Sequence, residues 1–439
     1  VAELVWKGKV RARRSRPGSL SADEIHGAGA SPQSGSRNRL LHGEAERVLP
    51  ALARELAGKV ALVYVDPPFD TGGAFDYLAH VDSSRVRARG RSRPPPLPRI
   101  AVPAYQDARG LDAWLGWFAS VAASLRDLLA DGGSLYVHLD AHVAHYAKVV
   151  LDEVLGSDAF QREIVWRIGW ISGFKSRARG WIRNHDTILF YAKGGRPATF
   201  HKEYVPYPPG YVRRDGAAPT GQGHPVDDVW NGSEIDRLDS IQIMSFSGEK
   251  VGYPTQKNEA LVARIVRASS NPGDLVLDCC AGSGTTAVVA SKLGRRWLAC
   301  DASAVAIHVA RKRLLAIEGA PPFFLERESR ASAVEGAREV GARVEVQGKQ
   351  CVLTLTSYAM PPHASLGGPW SQRLDGWSVE WDARERAMNV SRSFWRTRRG
   401  ELACTATHRF DRPGRYRVRV RAYDVLGGSA DVVLPVHIR

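Results

Sequence analysis

With 439 residues, 44% of them hydrophobic and 24% charged, the chain is long enough for two or three domains with real cores, and its composition excludes fibrous, disulfide-scaffold and largely disordered classes. No apolar run approaches the roughly 18 residues of a membrane span, and five cysteines without a CxxC pair argue against a disulfide framework or cysteine zinc site and for a reducing cytoplasm. The net charge of +15 points to a polyanionic partner.

Residues 1–40, 81–100 and 161–195 each carry a net +5. The first stretch is Gly/Ser/Arg-rich and lacks the apolar segment of a secretion signal, so residues 1–39 read as a basic tail. Globular texture begins at Leu40, with a helix whose stripe is Val48, Leu52 and Leu56, then the apolar strand VALVYV at 60–65 ending in Asp66-Pro67-Pro68-Phe69. An arginine-rich insertion at 81–100 follows. The spacing predicts a helix over 111–133 closed by glycine, a strand at 134–140, a helix over 141–156, and strands at 164–170 and 187–193. Periodicity fades over 194–250, then returns as a helix at 257–270, a strand at 272–278, a glycine turn and helix at 281–294, a strand at 295–301 and a helix near 303–318. Such alternation predicts a parallel sheet covered on both faces. From about 341 to 439 the period is two, which predicts a small antiparallel β-sandwich domain. Its Trp377, Trp381, Phe394 and Trp395 are expected to pack its core rather than form a binding patch.

Two strand ends carry chemistry. Asp278-Cys279-Cys280-Ala281-Gly282-Ser283-Gly284-Thr285-Thr286 is a glycine turn from strand to helix, with Asp301 closing the next strand. That pairing suits a nucleoside whose ribose hydroxyls an acidic side chain accepts. No lysine follows Gly284, so a triphosphate-binding P-loop is disfavoured. At the other strand end, two prolines make a rigid turn that aims the Pro67 carbonyl outward beside the Asp66 carboxylate and the Phe69 ring. Together they form a clamp for a planar amine: two N–H acceptors and a stacking face. His138, His142 and His145 fall at i, i+4, i+7 but read as core or surface histidines rather than metal ligands.

DPPF, the run DCCAGSGTTAVVASKLGRRWLACDAS, and YPTQKNEALVARIV before it resemble the S-adenosylmethionine-dependent amino-group DNA methyltransferases, in the permuted order with the catalytic motif ahead of the cofactor motif. Residues 40–315 further look like the modification subunits of type III restriction systems. The resemblance implies a Rossmann-like α/β domain over 40–320, with a target-recognition region near 157–250. It makes Asp66, Pro67, Pro68 and Phe69 the catalytic motif and Ala281, Gly282, Ser283 and Gly284 the cofactor loop, flanked by Asp278, Cys280 and Thr285. Asp301 would hold the ribose, and Thr255, Gln256 and Lys257 would close over the methionine end of S-adenosyl-L-methionine. Two departures stand out: Cys279-Cys280 where the family usually has Pro-Phe, and Tyr253 where it usually has His.

The implied reaction is methyl transfer to adenine N6 in double-stranded DNA, without a metal. Cytosine N4 is the nearest alternative, since members acting on cytosine more often begin the motif with Ser. A non-catalytic DNA-binding subunit and methylation of RNA or protein glutamine are the others. Lys175, Arg177, Arg179 and Arg183, near Trp170 and Trp181, are the expected DNA contacts of the recognition region. Arg87, Arg89 and Arg91 are those of the insertion. A homodimer, a restriction subunit and a cytoplasmic, nucleoid-associated location complete the expectation, with no membrane partner.

Overall fold

The computed structural model describes residues 3–9, 15–27, 37–80, 99–169, 179–194, 197–232, 236, 238, 249–332, 334, 336–361, 369–397 and 400–439, with backbone alone at 79, 80, 99, 100 and 106. Arg87, Arg89, Arg91, Trp170, Lys175 and Arg177 lie outside these residues.

The first half runs β1 (Leu20–His26), β2 (Asn38–His42), α1 (Ala45–Leu56), β3 (Val60–Val65), the hairpin β4 (Gly73–His80) and β5 (Arg99–Asp107), α2 (Leu111–Leu128), β6 (Leu129–Leu139), α3 (Ala144–Leu155), β7 (Phe160–Arg167) and β8 (His185–Ala192). Next come the two-residue strands β9 (Tyr204–Val205), β10 (His224–Pro225) and β11 (Val229–Trp230), then α4 (Glu259–Ser269), β12 (Leu275–Asp278), α5 (Thr285–Lys292), β13 (Arg296–Asp301), α6 (Ala304–Leu315) and β14 (Phe323–Glu328). The last quarter is β15 (Glu339–Gln347), β16 (Gln350–Ala359), α7 (Trp370–Arg373), β17 (Leu374–Glu380), β18 (Met388–Val390), β19 (Arg392–Trp395), β20 (Thr405–Arg409), β21 (Gly414–Asp424) and β22 (Ser429–Ile438).

One sheet organises the first three quarters, in the order β11-β7-β8-β6-β3-β12-β13-β2-β14-β1-β18. Its centre is parallel, because VALVYV and LVLD are apolar on both faces and each is covered by helices on both sides. Helices α1, α2 and α3 bury Val48, Leu52, Trp114, Phe118 and Leu151 against one face, while α4, α5 and α6 bury Ile265, Val288 and Ile307 against the other. The helices change faces between β3 and β12. The crevice outside the carboxyl ends of those two strands is where an open α/β sheet binds ligands, and both motifs end there.

Three expectations are corrected. The sheet is mixed rather than all parallel, since β8 runs antiparallel to β6 and β1 antiparallel to β14. The 1–39 tail contains β1 and part of β2, both in this sheet. The helix over 111–133 ends at Leu128, because Leu129 already pairs with Val60 and Gly132, at φ +77°, carries the chain through a bulge. Within residues 157–250, β7 and β8 belong to the core sheet. Among the described residues no helix is long and apolar enough to cross a membrane.

The C-terminal domain is two antiparallel sheets, β15-β16-β20 and β19-β17-β21-β22, enclosing their own core. Trp377 is fully buried and stacks on Phe394 at 4.3 Å, and Trp395 stacks on Tyr423 at 5.2 Å, so these aromatics do pack the interior. The domain is fixed to the larger α/β body in three ways. Strand β18 pairs in parallel with β1. Asp375 accepts from His308 (2.9 Å) and Lys312 (2.7 Å) of α6, and Glu24 of β1 accepts from Arg311 of α6 (2.9 Å) and Arg421 of β21 (3.1 Å).

Candidate active site

The two motif sets meet in one cavity of about 380 Å³ at the carboxyl ends of β3, β12 and β13, and the hairpin β4–β5 forms one wall. Asp66, Pro67, Pro68, Phe69, Thr255, Gln256, Lys257, Asp278, Cys280, Ala281, Gly282, Ser283, Thr285 and Asp301 all line it, as do Cys279 and Tyr253. Residues up to 235 positions apart in the chain thus share one concave site. Gly284 does not line the cavity. It caps α5 in the left-handed conformation at φ +78°, and a Cβ there would lie 2.7 Å from the Ala310 Cβ, so glycine is required for α5 to approach α6.

Asp66 leaves β3 with its two oxygens in different situations. Oδ2 accepts from the Lys257 ammonium at 2.5 Å, whereas Oδ1 is buried without a hydrogen-bond partner among the described residues. A buried orphaned acceptor is costly unless a donor arrives, so Oδ1 is shaped to receive one. Lys257 also lies over the Phe69 ring, 5.4 Å from its centroid. The turn itself is held rigid. Trp114 Nε1 donates to the Pro68 carbonyl (2.6 Å), and Asp107 accepts from the Asp70 and Thr71 backbone N–H groups (2.7 and 3.1 Å). Asp70, at φ +56°, accepts from the backbone N–H groups of Arg109 and Gly110, both at 2.8 Å.

Behind Phe69 stands a buried polar chain. His138 is stacked on Phe69 at 6.4 Å, hydrogen-bonds the Tyr64 hydroxyl through Nδ1 (3.0 Å) and faces Asp186 through Nε2 (3.3 Å). Burial alone would raise the Asp186 pKa, but the His138 hydrogen bond and nearby cations outweigh it and hold the carboxyl well below the usual range. Arg183 completes the chain, bonding Asp186 and Asp140 (3.0 Å). Its guanidinium pairs with two carboxylates behind the Asp66–Phe69 turn while the side chain stays 41% exposed. Arg179 and the fully exposed Trp181 do face solvent. His142 bonds Asp140 (2.7 Å), so the histidine series is divided between two separate partners.

The glycine loop is built on carboxylates. Asp278 accepts from Cys280 N–H (3.0 Å) and from the Thr286 hydroxyl (2.6 Å), and its burial raises its pKa to about 7. Asp301 accepts from the backbone N–H of Gly282 and of Ser303, both at 2.8 Å. Its burial raises its pKa to about 6 against the lowering effect of those two bonds. Gly282 sits at φ +51°, and a Cβ there would meet the Tyr253 ring at 3.2 Å. Ser283 and Thr285 turn their hydroxyls to Arg313, whose Nη1 donates to both (3.0 and 2.9 Å) and to the Ser283 carbonyl (3.0 Å). Gln256 is turned inward to the carbonyl of Glu249 (2.9 Å) and the N–H of Val251 (3.2 Å), which shapes the loop instead of presenting its amide to a ligand. Thr255, at φ +54°, meets the Tyr105 hydroxyl at 3.1 Å. Cys279 is core, and the Cys280 thiol is pushed well up by its hydrogen bond with Cys279 and by burial.

Sequence reasoning missed Arg313, Tyr105, Trp114 and Asp107. None belongs to a local pattern, and each enters through contacts made across tens or hundreds of residues.

A carboxylate with one buried oxygen after β3, a glycine loop after β12 and a second carboxylate at the end of β13 thus line one cavity. The profile of the N6/N4 DNA methylase family matches residues 60–312, more than half the chain, and the chain belongs to that family. It is 29% identical over 322 residues to the type II methyltransferase M.EcaI of Enterobacter cloacae, covering 60% of this chain and 66% of that enzyme, so it spans just under two thirds of that relative's length. It is 26% identical over 293 residues to the DNA adenine methyltransferase YhdJ of Escherichia coli, covering 63% and 82%. The solved M1.HpyAVI–SAM complex overlays with a TM-score of 0.40 at 19% identity, covering 64% of this chain and 99% of that one.

Members of that family are DNA methylases, and S-adenosyl-L-methionine is the cofactor that the sequence resemblance implies. The residues present fit that cofactor: the cavity has the volume, Gly282 keeps the loop free of a side chain, and both Asp301 oxygens keep lone pairs beyond the two backbone bonds.

Proposed function

We propose that the chain methylates adenine N6 in double-stranded DNA. The observation that carries the reading is Asp66 Oδ1, buried and without a hydrogen-bond partner among the described residues, on an aspartate that lines the cavity together with Phe69. An amine donating one N–H to Oδ1 and the other to the Pro67 carbonyl is held with its lone pair free, and Phe69 stacks on the base ring. Lys257 fixes the carboxylate by its other oxygen. Asp301 and the Ala281–Gly282 backbone would hold the nucleoside half of the cofactor, and the Thr255–Gln256 segment its amino-acid half. When bound, S-adenosylmethionine supplies the activated methyl group and a neutral leaving group. The target must leave the duplex, because a recessed acceptor cannot reach an amine inside a stacked helix.

Asp as the first residue of the motif and the adenine-named relative support N6. Cytosine N4 is the second reading, since two N–H acceptors and a stacking ring receive either amine, and the family profile spans both. Mass spectrometry of nucleosides from DNA incubated with the protein and labelled cofactor decides between them. N6-methyladenine is the expected product; N4-methylcytosine alone would replace the reading, and no methylated base would remove it.

The resemblance to type III modification subunits extends the proposal to a homodimer, a restriction subunit and a cytoplasmic, nucleoid-associated location. Arg179 and the arginines of the insertion are proposed as phosphate contacts. Changing Arg87, Arg89, Arg91 and Arg93 to Ser should flatten the slope of log affinity against log salt by about 0.9 for each phosphate that is no longer neutralised, equally for cognate and unrelated duplexes. An unchanged slope would remove them from the interface.

A further inference from the structure

The C-terminal β domain lies beyond the residues that the family profile matches, yet one of its turns packs against residues that line the cavity. Between β21 and β22 the chain reverses through Val425, Leu426, Gly427 and Gly428. Asp424, fully buried, makes this turn rigid by accepting from Arg338 Nε (2.5 Å), the Tyr358 hydroxyl (3.1 Å) and the backbone N–H groups of Leu426 and Gly428 (2.9 and 2.8 Å). Four donors on one carboxylate fix both of its oxygens and hence the loop they hold.

The turn is pressed against the first turn of α6. A Cβ on Gly427, which sits at φ +83°, would lie 3.0 Å from the Ala304 carbonyl oxygen. Ala304 follows Ser303, and Ser303 donates its backbone N–H to Asp301 and its hydroxyl to the Ala104 carbonyl of the hairpin (2.8 Å each). On the same side Val425, 1% exposed, and the half-buried Leu426 join one apolar cluster with Tyr77, Val102 and Ala104 of the hairpin, Val305 and Val309 of α6, and Tyr253. The buried members of this cluster belong neither to the two cores of the sheet nor to that of the sandwich, and Leu426 packs against both this cluster and the sandwich core. Its inner members are the cavity's wall: Ala104 and Tyr253 line it, Tyr105 bonds Thr255, and Tyr253 packs on Gly282. The wall therefore consists of a two-stranded hairpin and an irregular segment, neither of which belongs to a large sheet. Two-stranded ribbons are marginal unless packed on something, and the outer packing surface here includes the sandwich turn.

We propose that the Val425–Gly428 turn is a positioning element of the cofactor site, holding the Tyr77–Val102 hairpin and the Tyr253–Lys257 segment at the spacing that encloses S-adenosylmethionine. Val425 and Leu426 touch no cofactor. They act through Tyr253 and the hairpin, so the C-terminal domain is a working part of the methyltransferase site rather than an appended module. The proposal rests on the cofactor assignment above, and its test has one arm that does not.

The test uses the full chain with Val425→Ala/Leu426→Ala, the milder Leu426→Ala, and Leu353→Ala, which cuts a fully buried side chain in the sandwich core. Calorimetric titration with S-adenosylmethionine should show affinity about tenfold weaker in the double variant, a smaller loss in Leu426→Ala and wild-type affinity in Leu353→Ala, although the last melts earlier. Without cofactor, hydrogen exchange over residues 101–105 and 251–257 should quicken in the two turn variants and not in Leu353→Ala. If the double variant does not fold, Leu426→Ala carries both readouts. Turn variants with affinity within twofold of wild type and unchanged exchange would overturn the proposal, as would a Leu353→Ala protein that loses affinity and protection equally. A wild-type chain that binds no cofactor would fail the cofactor assignment, and the exchange arm would still decide the turn.

Discussion

Asp66 and Asp301 both terminate central strands of the same sheet, and their neighbours make them different reagents. Asp66 has one oxygen neutralised by a lysine and one buried without a partner among the described residues, so it waits for a donor. Asp301 instead accepts from two backbone N–H groups and pairs with no described cation, so burial dominates and its carboxyl rises to about 6. Position in the fold brings a carboxylate to the crevice; what else has reached it sets its charge and its open hydrogen-bonding capacity.

The largest effect that would break this contrast is Asp66→Ala. Turnover should fall by about two to three orders of magnitude or more with cofactor affinity nearly unchanged, as single-turnover rates and calorimetry together would show; a variant with half the wild-type rate would end the distinction. Asp301→Ala should do the reverse and weaken cofactor binding by roughly 10–150-fold, about 1.5–3 kcal/mol. Unchanged affinity by titration would refute its role.

Lys257→Met sharpens the Asp66 side. Because its ammonium meets Asp66, the expected loss is about tenfold in kcat with little change in cofactor Kd. A loss confined to Kd would instead return the residue to the methionine end that the sequence resemblance implies.

The smallest effect is in pH. Asp278 and Asp301 are raised from 3.8 to about 7 and about 6, so between roughly pH 4 and 7 the folded chain holds protons that the unfolded chain has released. Their contribution to folding stability therefore declines as pH rises through that window and levels off above it. Cofactor affinity should have the opposite sign, weakening as pH falls through about 6, because protonated Asp301 is a poorer acceptor. In Asp301→Asn that dependence should flatten in titrations between pH 5 and 8.

Much of this layout is legible in the sequence alone. Apolar strands ending in DPPF and in the glycine turn carry their own meaning, since a buried strand must deliver its last residues to the sheet edge. Strand β1 stays hidden because Glu24 and His26, which look solvated in LSADEIH, are buried, and Glu24 bonds arginines some 290 to 400 positions away. Arg183 shows the converse: Asp186 stands three residues on, but nothing in that segment reveals Asp140 closing on the same guanidinium. The Arg313 contacts to Ser283 and Thr285 are equally invisible, because a buried guanidinium looks like a surface one in an RKRLL helix.

The place of β1 in the sheet also dictates an order of events. Leu20 pairs with Glu328 and Glu24 with Met388, so this strand lies between two that are made about 300 to 360 residues after it. Until residues 388–390 have emerged, β1 cannot have both ladders, and before it docks the β14 edge is an open template for wrong pairing. Pairings this distant in sequence close slowly. Assembly of this protein is therefore gated by its last quarter, and a nascent chain halted before residue 388 should be the species that chaperones hold.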